Sequence, residues 1–459
     1  MGGLNTALSI ASGALSAQEA ALDTVNNNIA NATTPGYSRE IVDFSSAGTT
    51  QDGSVAIGDG VEVTGITSVQ DQLLNVQLQQ TTAAQASASA QSNVLSSVQD
   101  YFSSNTSGVG SDLSTFFTSL SALSSAPSNS ADRQTVISDA SALVGSFNST
   151  AAGLTSTQTG LNIQVSGDVT QVNSLTAQIA ALNPQIQAST AGGSDGGTLV
   201  DQRTELEQQL SALIGTSITT TPQGDTITTG NGSVLVAAGQ SYALSTGTGS
   251  SGTTQVLDSH GTNITDAITG GDLGGSIQVR DTTIPGLLSN LDSLASGFGT
   301  AINAAQSSGY DLNGNAGTAL FTLPSTVSGS AAGIALATTN GSAIAASSDG
   351  SSGSNGNVAA LTSVQNNALS GGLSPTGLYA ALVENVGNAA SQADTQSTAL
   401  QSSLTQLTNQ QSSVSGVSID EESSNLIRFQ QGYEAAAEAV TAINSLFTTT
   451  IDMLSSSGA

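Results

Sequence analysis

The chain has 459 residues, enough for roughly two to four domains, and a lopsided charge: 33 acidic residues stand against five arginines, with no lysine, one histidine, no cysteine and no tryptophan, leaving −28. That balance excludes nucleic acid and anionic membranes as partners, since both are held by Lys and Arg clusters, and the missing cysteine removes disulfides, zinc fingers and thiol catalysis together. With 8% charged and 3% aromatic residues, the cores must be thin and alanine-rich, and thin cores gain most from contact with neighbouring subunits.

The N-terminus lacks the basic region and apolar run of a cleaved secretory signal, and no stretch of 18 consecutive apolar residues follows, so membrane insertion is not expected. Instead, Leu4, Leu8, Ala11, Leu15, Gln18, Leu22, Val25, Ile29 and Ala32 step by four and three alternately, the spacing of a coiled-coil seam. This predicts a helix from Asn5 to Ala32, about 42 Å long, stopped by Pro35 and Gly36. Asn26, Asn27 and Asn28 are read as facing away from the seam, either to bond between subunits or as a tolerated polar face.

Tyr37 to Phe44 and Val61 to Val69 read as short extended segments around a Gly58-Asp59-Gly60 turn, and a long helix is expected from Gln70 to Phe102. Further helices are expected at Asp112 to Leu123, Asp132 to Thr159, Asp168 to Gln187 with Pro184 bending or ending it, and Thr198 to Ile214. From Thr216 to Val279 the apolar period changes to alternation among Thr and Ser, predicting a small β-rich insertion. Helix resumes at Pro285 and runs to Gln306, residues 325 to 357 have the composition of a flexible Gly/Ser loop, and helices return from Pro375.

The last helix, Ile419 to Leu454, opens at Ser418 with Glu421 three residues on, a capping-box pattern that accounts for Asp420, Glu421 and Glu422 better than an acidic contact site does. Leu426, Phe429, Tyr433, Ala436, Val440, Ile443, Phe447 and Ile451 repeat the first seam, with Glu422 on one stripe and Gln18 on the other as polar groups able to fix register. Neither stripe can be buried alone, and the simplest partner for the first helix is the last. A pair this thin is expected to be disordered or loosely helical in the isolated chain and to order in an assembly. The fold class expected is therefore mainly α: a terminal coiled coil (1–36 and 415–459), a long-helix rod domain (37–214 and 284–414) and a β-rich outer insertion (215–283).

No catalytic or metal-binding constellation is found. His260 sits in a turn, HExxH and GxSxG are absent, and Asp311 to Asn315 lacks the twelfth-position glutamate of a calcium loop, so neither enzyme activity nor cofactor is expected.

Asn26, Asn27, Asn28, Ile29, Ala30 and Asn31 followed by Thr34, Pro35, Gly36, Tyr37, Ser38 and Arg39 resemble the N-terminal signature of the flagellar rod, hook and hook-associated axial proteins, and the ending resembles the branch that joins hook to filament. Asp201-Gln202-Arg203, Arg280-Asp281 before Pro285, Asn303 with Gly309 to Gly314, and Ser415 to Glu422 with Asn425, Gln430 and Tyr433 follow in the same order. The resemblance does not extend to residues near 105–130 and 325–355, and Ser423-Ser424 and the lack of lysine depart from the pattern. It implies a secreted, non-enzymatic structural subunit, exported through the flagellar type III channel and placed outside the cell at the hook-filament junction. Implied partners are further copies of itself in a tubular array, the hook protein, hook-associated protein 3 and a cytoplasmic export chaperone. The assembly surfaces so implied are Leu4, Leu8, Leu15, Leu22, Val25, Asn28, Ile29 and Asn31 on the first helix and Leu426 to Ile451 on the last, with Pro35, Gly36, Tyr37 and Arg39 as the motif turn. The nearest rivals are another axial flagellar protein and a secreted type III translocator or effector. The translocator would need a membrane-length apolar run and the effector a catalytic constellation.

Overall fold

The computed structural model describes residues 2–52, 55–102, 108–192, 194–249, 252–369 and 372–456. The outermost limits of the terminal domain, 1 and 457–459, lie outside them. The chain opens with α1 (Gly2–Asn31), then the hairpin strands β1 (Glu40–Ser46), β2 (Thr49–Asp52), β3 (Val55–Gly58) and β4 (Val61–Ser68). Strand β1 pairs antiparallel with β4, with a bulge between Asp43 and Phe44, and β2 pairs with β3 at the tip. Close approach fixes the hairpin to α1, since a Cβ at Gly13 would stand 3.1 Å from Val61 O and one at Gly60 3.2 Å from Ile10.

Four helices follow: α2 (Gln72–Asp100), α3 (Val109–Leu123), α4 (Ser130–Ala191) and α5 (Gly197–Leu213). Asp71 caps α2 by accepting from the Leu73 and Leu74 amides. The two helices expected at 132–159 and 168–187 are one helix of 62 residues. Gly160 and Gly167 each cost about 1 kcal/mol in a helix interior. Leu161, Val165 and Val169, all buried, carry the apolar stripe across them, and their burial is worth about 1.5–3 kcal/mol each. Nor does Pro184 end the helix. It removes one backbone bond, but Asn183 before it is fully buried and hydrogen-bonded, and Ile186 beyond it is buried too.

The insertion is a four-stranded antiparallel sheet, β5 (Thr216–Thr221), β6 (Gly224–Thr229), β7 (Val234–Ala237) and β8 (Gln240–Ser241), with a second pair β9 (Ser245–Thr248) and β10 (Thr254–Leu257). The β pattern expected to Val279 stops at Leu257. Helix α6 (Gly271–Gln278) and a π turn at Val279–Thr283 replace it, because Gly274 and Gly275 let α6 press onto its neighbours: a Cβ at Gly275 would lie 2.3 Å from Ser87 O of α2. Helix α7 (Ile284–Ser307) begins with Pro285 in its first turn.

Residues 325–357 have a flexible composition but are folded onto the core. Here lie α8 (Ser330–Gly333) and β12 (Ala335–Leu336), the latter paired with β11 (Phe321–Thr322). Ala331, Ile334, Ile344, Ala345 and Ala346 are buried, and the buried Arg133 of α4 donates to Ile344 O at 2.8 Å. After α9 (Val358–Ser363), the long helices α10 (Pro375–Ser415) and α11 (Ile419–Ser456) complete the chain. Helix α4 is the spine. Its first half packs with α3, α7 and α8 around Phe116, Phe147, Phe298 and Phe321, with α9 and α10 joining that core through α3 and α7, and its second half packs with α5, α6 and the insertion around Val172, Ile179, Ile227 and Val236.

Candidate assembly junction at the terminal helices

Helices α1 and α11 pack side by side. Glu422 lies against Asn28, and Gly432 lies against Gln18, ten residues further along α11 and ten residues back along α1, so the pair is antiparallel. On α11 the predicted stripe faces the seam: Leu426, Phe429, Tyr433, Val440, Ile443 and Phe447 are half-buried and Ala436 is buried. Ile451 lies beyond the intramolecular pair. It is 56% exposed, because it extends past the point where α1 begins. On α1, Leu4, Leu8, Leu15, Leu22, Ile29 and Asn31 are half-buried, while Ala11, Ala17, Ala21 and Val25 are buried; Ala17 and Ala21 fall outside the expected stripe.

The motif turn is where the pair is tied to the rest of the molecule. Pro35 and Gly36 are exposed, and Gly36 takes φ 77°, a conformation that suits glycine. Tyr37 turns back so that its hydroxyl donates to Asn28 Oδ1 at 2.9 Å. Asn28 does not face away from the pair. It is 1% exposed, its Nδ2 donates to Glu40 O at 2.8 Å and to Glu422 Oε2 at 3.3 Å, and its Oδ1 also accepts from Glu40 N at 2.9 Å. Its amide is therefore spent inside the chain. Asn26 and Asn27 are exposed, and Asn31 donates to Asn27.

Arg39 is the cation of the cluster. Its Nη1 lies 2.9 Å from Glu421 Oε2, and its backbone joins Ser415 O on one side and the Val69 amide on the other. The expected capping box is thus half formed. Ser418 Oγ accepts from the Glu421 amide at 3.4 Å, but the Glu421 carboxylate goes to Arg39 and does not return to the start of its helix. Asp201 of α5 accepts from Ser38 N and Gln70 Nε2, both at 2.8 Å, and Asp195 accepts from the Ser68 amide. The helical body therefore grips the turn and the end of β4. Burial, then the nearby Asp195, holds Glu40 above the usual carboxylate range, and burial also raises Asp201. Burial, followed by Glu40, Asp201 and Glu422, pushes the Tyr37 hydroxyl up, so it stays a donor. A cleft of 450 Å³ between α2, α5 and α10 opens beside Ser38 and Asp201.

Sequence reading missed Glu40, Asp195 and the clamping role of Asp201. Asp201 lay in a quoted motif block, whereas Glu40 and Asp195 carried no local signal.

Three family models match this chain: "Flagella basal body rod protein" at residues 8–37, "Flagellar hook-associated protein FlgK helical domain" at 95–321 and "Flagellar basal body rod FlgEFG protein C-terminal" at 409–453. The middle match covers the stretch near 105–130 where motif reading found no likeness. The chain is 27% identical over 535 residues to flagellar hook-associated protein 1 of Escherichia coli (strain K12), covering 96% of this chain and 98% of that protein. The namesake in Bacillus subtilis (strain 168) is 27% identical over 487 residues, covering 93% and 94%. The fold is similar to the solved flagellar hook junction protein FlgK from Burkholderia pseudomallei, with a TM-score of 0.67 at 20% identity over 74% of this chain and 100% of that one. Paired terminal helices matching rod-protein models, tied by the motif turn to a long-helix body, define a flagellar axial protein. Within that class, the chain belongs to the family of flagellar hook-associated protein 1.

Proposed function

We propose that this chain is a structural subunit of the bacterial flagellum that joins hook to filament and is assembled through its terminal helices. The observation that carries this reading is the half-buried seam. Leu4, Leu8, Leu15, Leu426, Phe429 and Val440 keep apolar surface that one partner helix leaves uncovered, while Asn28, Tyr37 and Arg39 fix the direction in which the pair leaves the body. Further copies in a tubular array would cover it.

Export through the flagellar type III route, a chaperone on the last helix before export, the hook protein on one side and hook-associated protein 3 on the other complete the reading, with the extracellular hook-filament junction as its location. The proposed division is a terminal domain (1–36, 415–459), a rod (37–214, 284–414) and an outward β insertion (215–283). No helix of the described residues is long and apolar enough to cross a membrane, which disfavours a helical pore-forming translocator.

Electron microscopy of a deletion strain tests it. Hooks without attached filaments are expected, restored by the full chain but not by versions lacking α1 or α11. Normal filaments on the deletion strain would overturn the assignment.

A further inference from the structure

A buried polar knot, separate from the terminal junction, fastens the β insertion to the helical body. Arg203 and Glu207 of α5, Asp225 of β6, Asn183 of α4 and Gln79 of α2 are all buried there. Arg203 Nη2 lies 2.8 Å from Asp225 Oδ2, its Nη1 donates to Asn183 Oδ1 at 3.0 Å, and its Nε stands 3.6 Å from Glu207 Oε1. Gln79 Nε2 donates to Glu207 Oε2 at 3.5 Å. Asn183 Nδ2 holds the backbone of the insertion, donating to Asp225 O at 3.1 Å and Ala238 O at 2.7 Å.

Two acceptors are left over. Glu207 Oε1 and Asp225 Oδ1 are buried with no hydrogen-bond partner, as is Arg203 Nε, and both carboxyl groups converge on the one Arg203 guanidinium. Charge is as unbalanced as the bonding. Asp225 and Arg203 are the charged groups facing Glu207, and α2 and α4 present only the neutral Gln79 and Asn183. Two carboxylates sharing one guanidinium in a dry site repel each other, whereas one proton between them removes a charge and supplies the donor that both oxygens lack.

We infer that Glu207 is carried as the neutral acid, hydrogen-bonded to Asp225, so that a single bound proton locks the β insertion onto the helical body. The proton comes from solvent. Asp225 keeps its 2.8 Å contact with Arg203, and a cleft of 240 Å³ lined by Gln79, Arg203, Thr220 and Asp225 gives solvent its route. Burial and then Asp225 hold Glu207 well above the usual carboxylate range. The sign follows from linkage. A carboxyl raised in the folded chain costs nothing while both states are protonated, and its stabilisation is lost as pH rises through the folded value.

Two measurements test the lock. The side-chain carboxyl ¹³C shift of Glu207 in the unaltered full chain should show a protonated acid at pH 6. Hydrogen-exchange protection of residues 224–229, corrected for intrinsic rates, should fall with rising pH by up to about tenfold per unit, as one proton requires. In Glu207→Gln, which keeps shape and a donor without the titration, that fall should vanish while protection of 136–147 stays as in the parent. An ionised Glu207 at pH 6, protection at 224–229 that does not change with pH, or the same fall in Glu207→Gln would each overturn the inference.

Discussion

Asn28 Nδ2 and Glu422 Oε2 meet at 3.3 Å across 394 residues of sequence, both side chains buried. One amide thereby joins the first helix, the last helix and, through Glu40 and Tyr37, the turn that ties them to the body.

Replacing Asn28 by alanine orphans the Glu40 amide and a buried Glu422 carboxylate, each a loss of about 1–3 kcal/mol. Asn28→Ala should therefore raise hydrogen exchange throughout α11 at least tenfold while leaving α4 unchanged. Unaltered protection of α11 would show that the bond carries no weight.

Glu421→Ala removes the most visible ion pair of the junction, yet Glu421 is 64% exposed. An exposed pair contributes about 0.2–1 kcal/mol. Chemical denaturation should place this variant within about 1 kcal/mol of the parent and well above Asn28→Ala.

Asp168 of α4 is half-buried opposite Asp272, and burial, reinforced by that neighbour, lifts its carboxyl from 3.8 to about 6. In the unfolded chain it ionises in the ordinary range, so folding loses stability between about pH 4 and about pH 6, where the unfolded chain releases the proton that the folded chain still holds. Asp168→Asn should abolish that part of the pH dependence in thermal melts. At pH 8 it should be more stable than the parent by on the order of 1 kcal/mol, after allowing for solvent screening of a half-exposed group.

Ala238 is the one non-glycine residue with positive φ among the described residues, at 50°, in the turn between β7 and β8. The left-handed conformation costs a side-chain-bearing residue about 1–2 kcal/mol. Ala238→Gly relieves it at some cost in unfolded-chain entropy, and a gain of about 0.5–1 kcal/mol in denaturant titration is expected. A loss would mean that the Ala238 methyl contributes packing that outweighs the relief.

In the purified monomer, α1 and α11 should exchange far faster than α4. Their seam leucines and aromatics are only half-buried, whereas Val136, Leu143 and Phe147 of α4 are completely buried. Equal, strong protection of all three helices would remove the need for neighbouring copies to stabilise the ends.

Much was legible because it was local. Spacing of four and three put Phe429, Tyr433 and Phe447 on one face of a helix, Pro35 and Gly36 stopped the first helix, and the change from helical period to alternation marked the insertion near Thr216. These patterns depend on a residue and its neighbours within two turns, which sequence displays directly. What remained hidden depended on partners brought together by packing. Gly160, Gly167 and Pro184 read as breaks because propensity is local, but the buried stripe through Leu161 and Val165 decided the helix. The Gly/Ser-rich residues 325–357 read as a loose loop until Arg133, about 200 residues earlier, supplied donors to their carbonyls. Sequence by itself determined that this acidic, lysine-free chain is a set of long helices with two matching ends. Only the tertiary structure decided that Asn28 faces Glu422 and that Arg203 is shared by two acids, because a buried polar group takes its role from whatever donors and acceptors the fold places beside it.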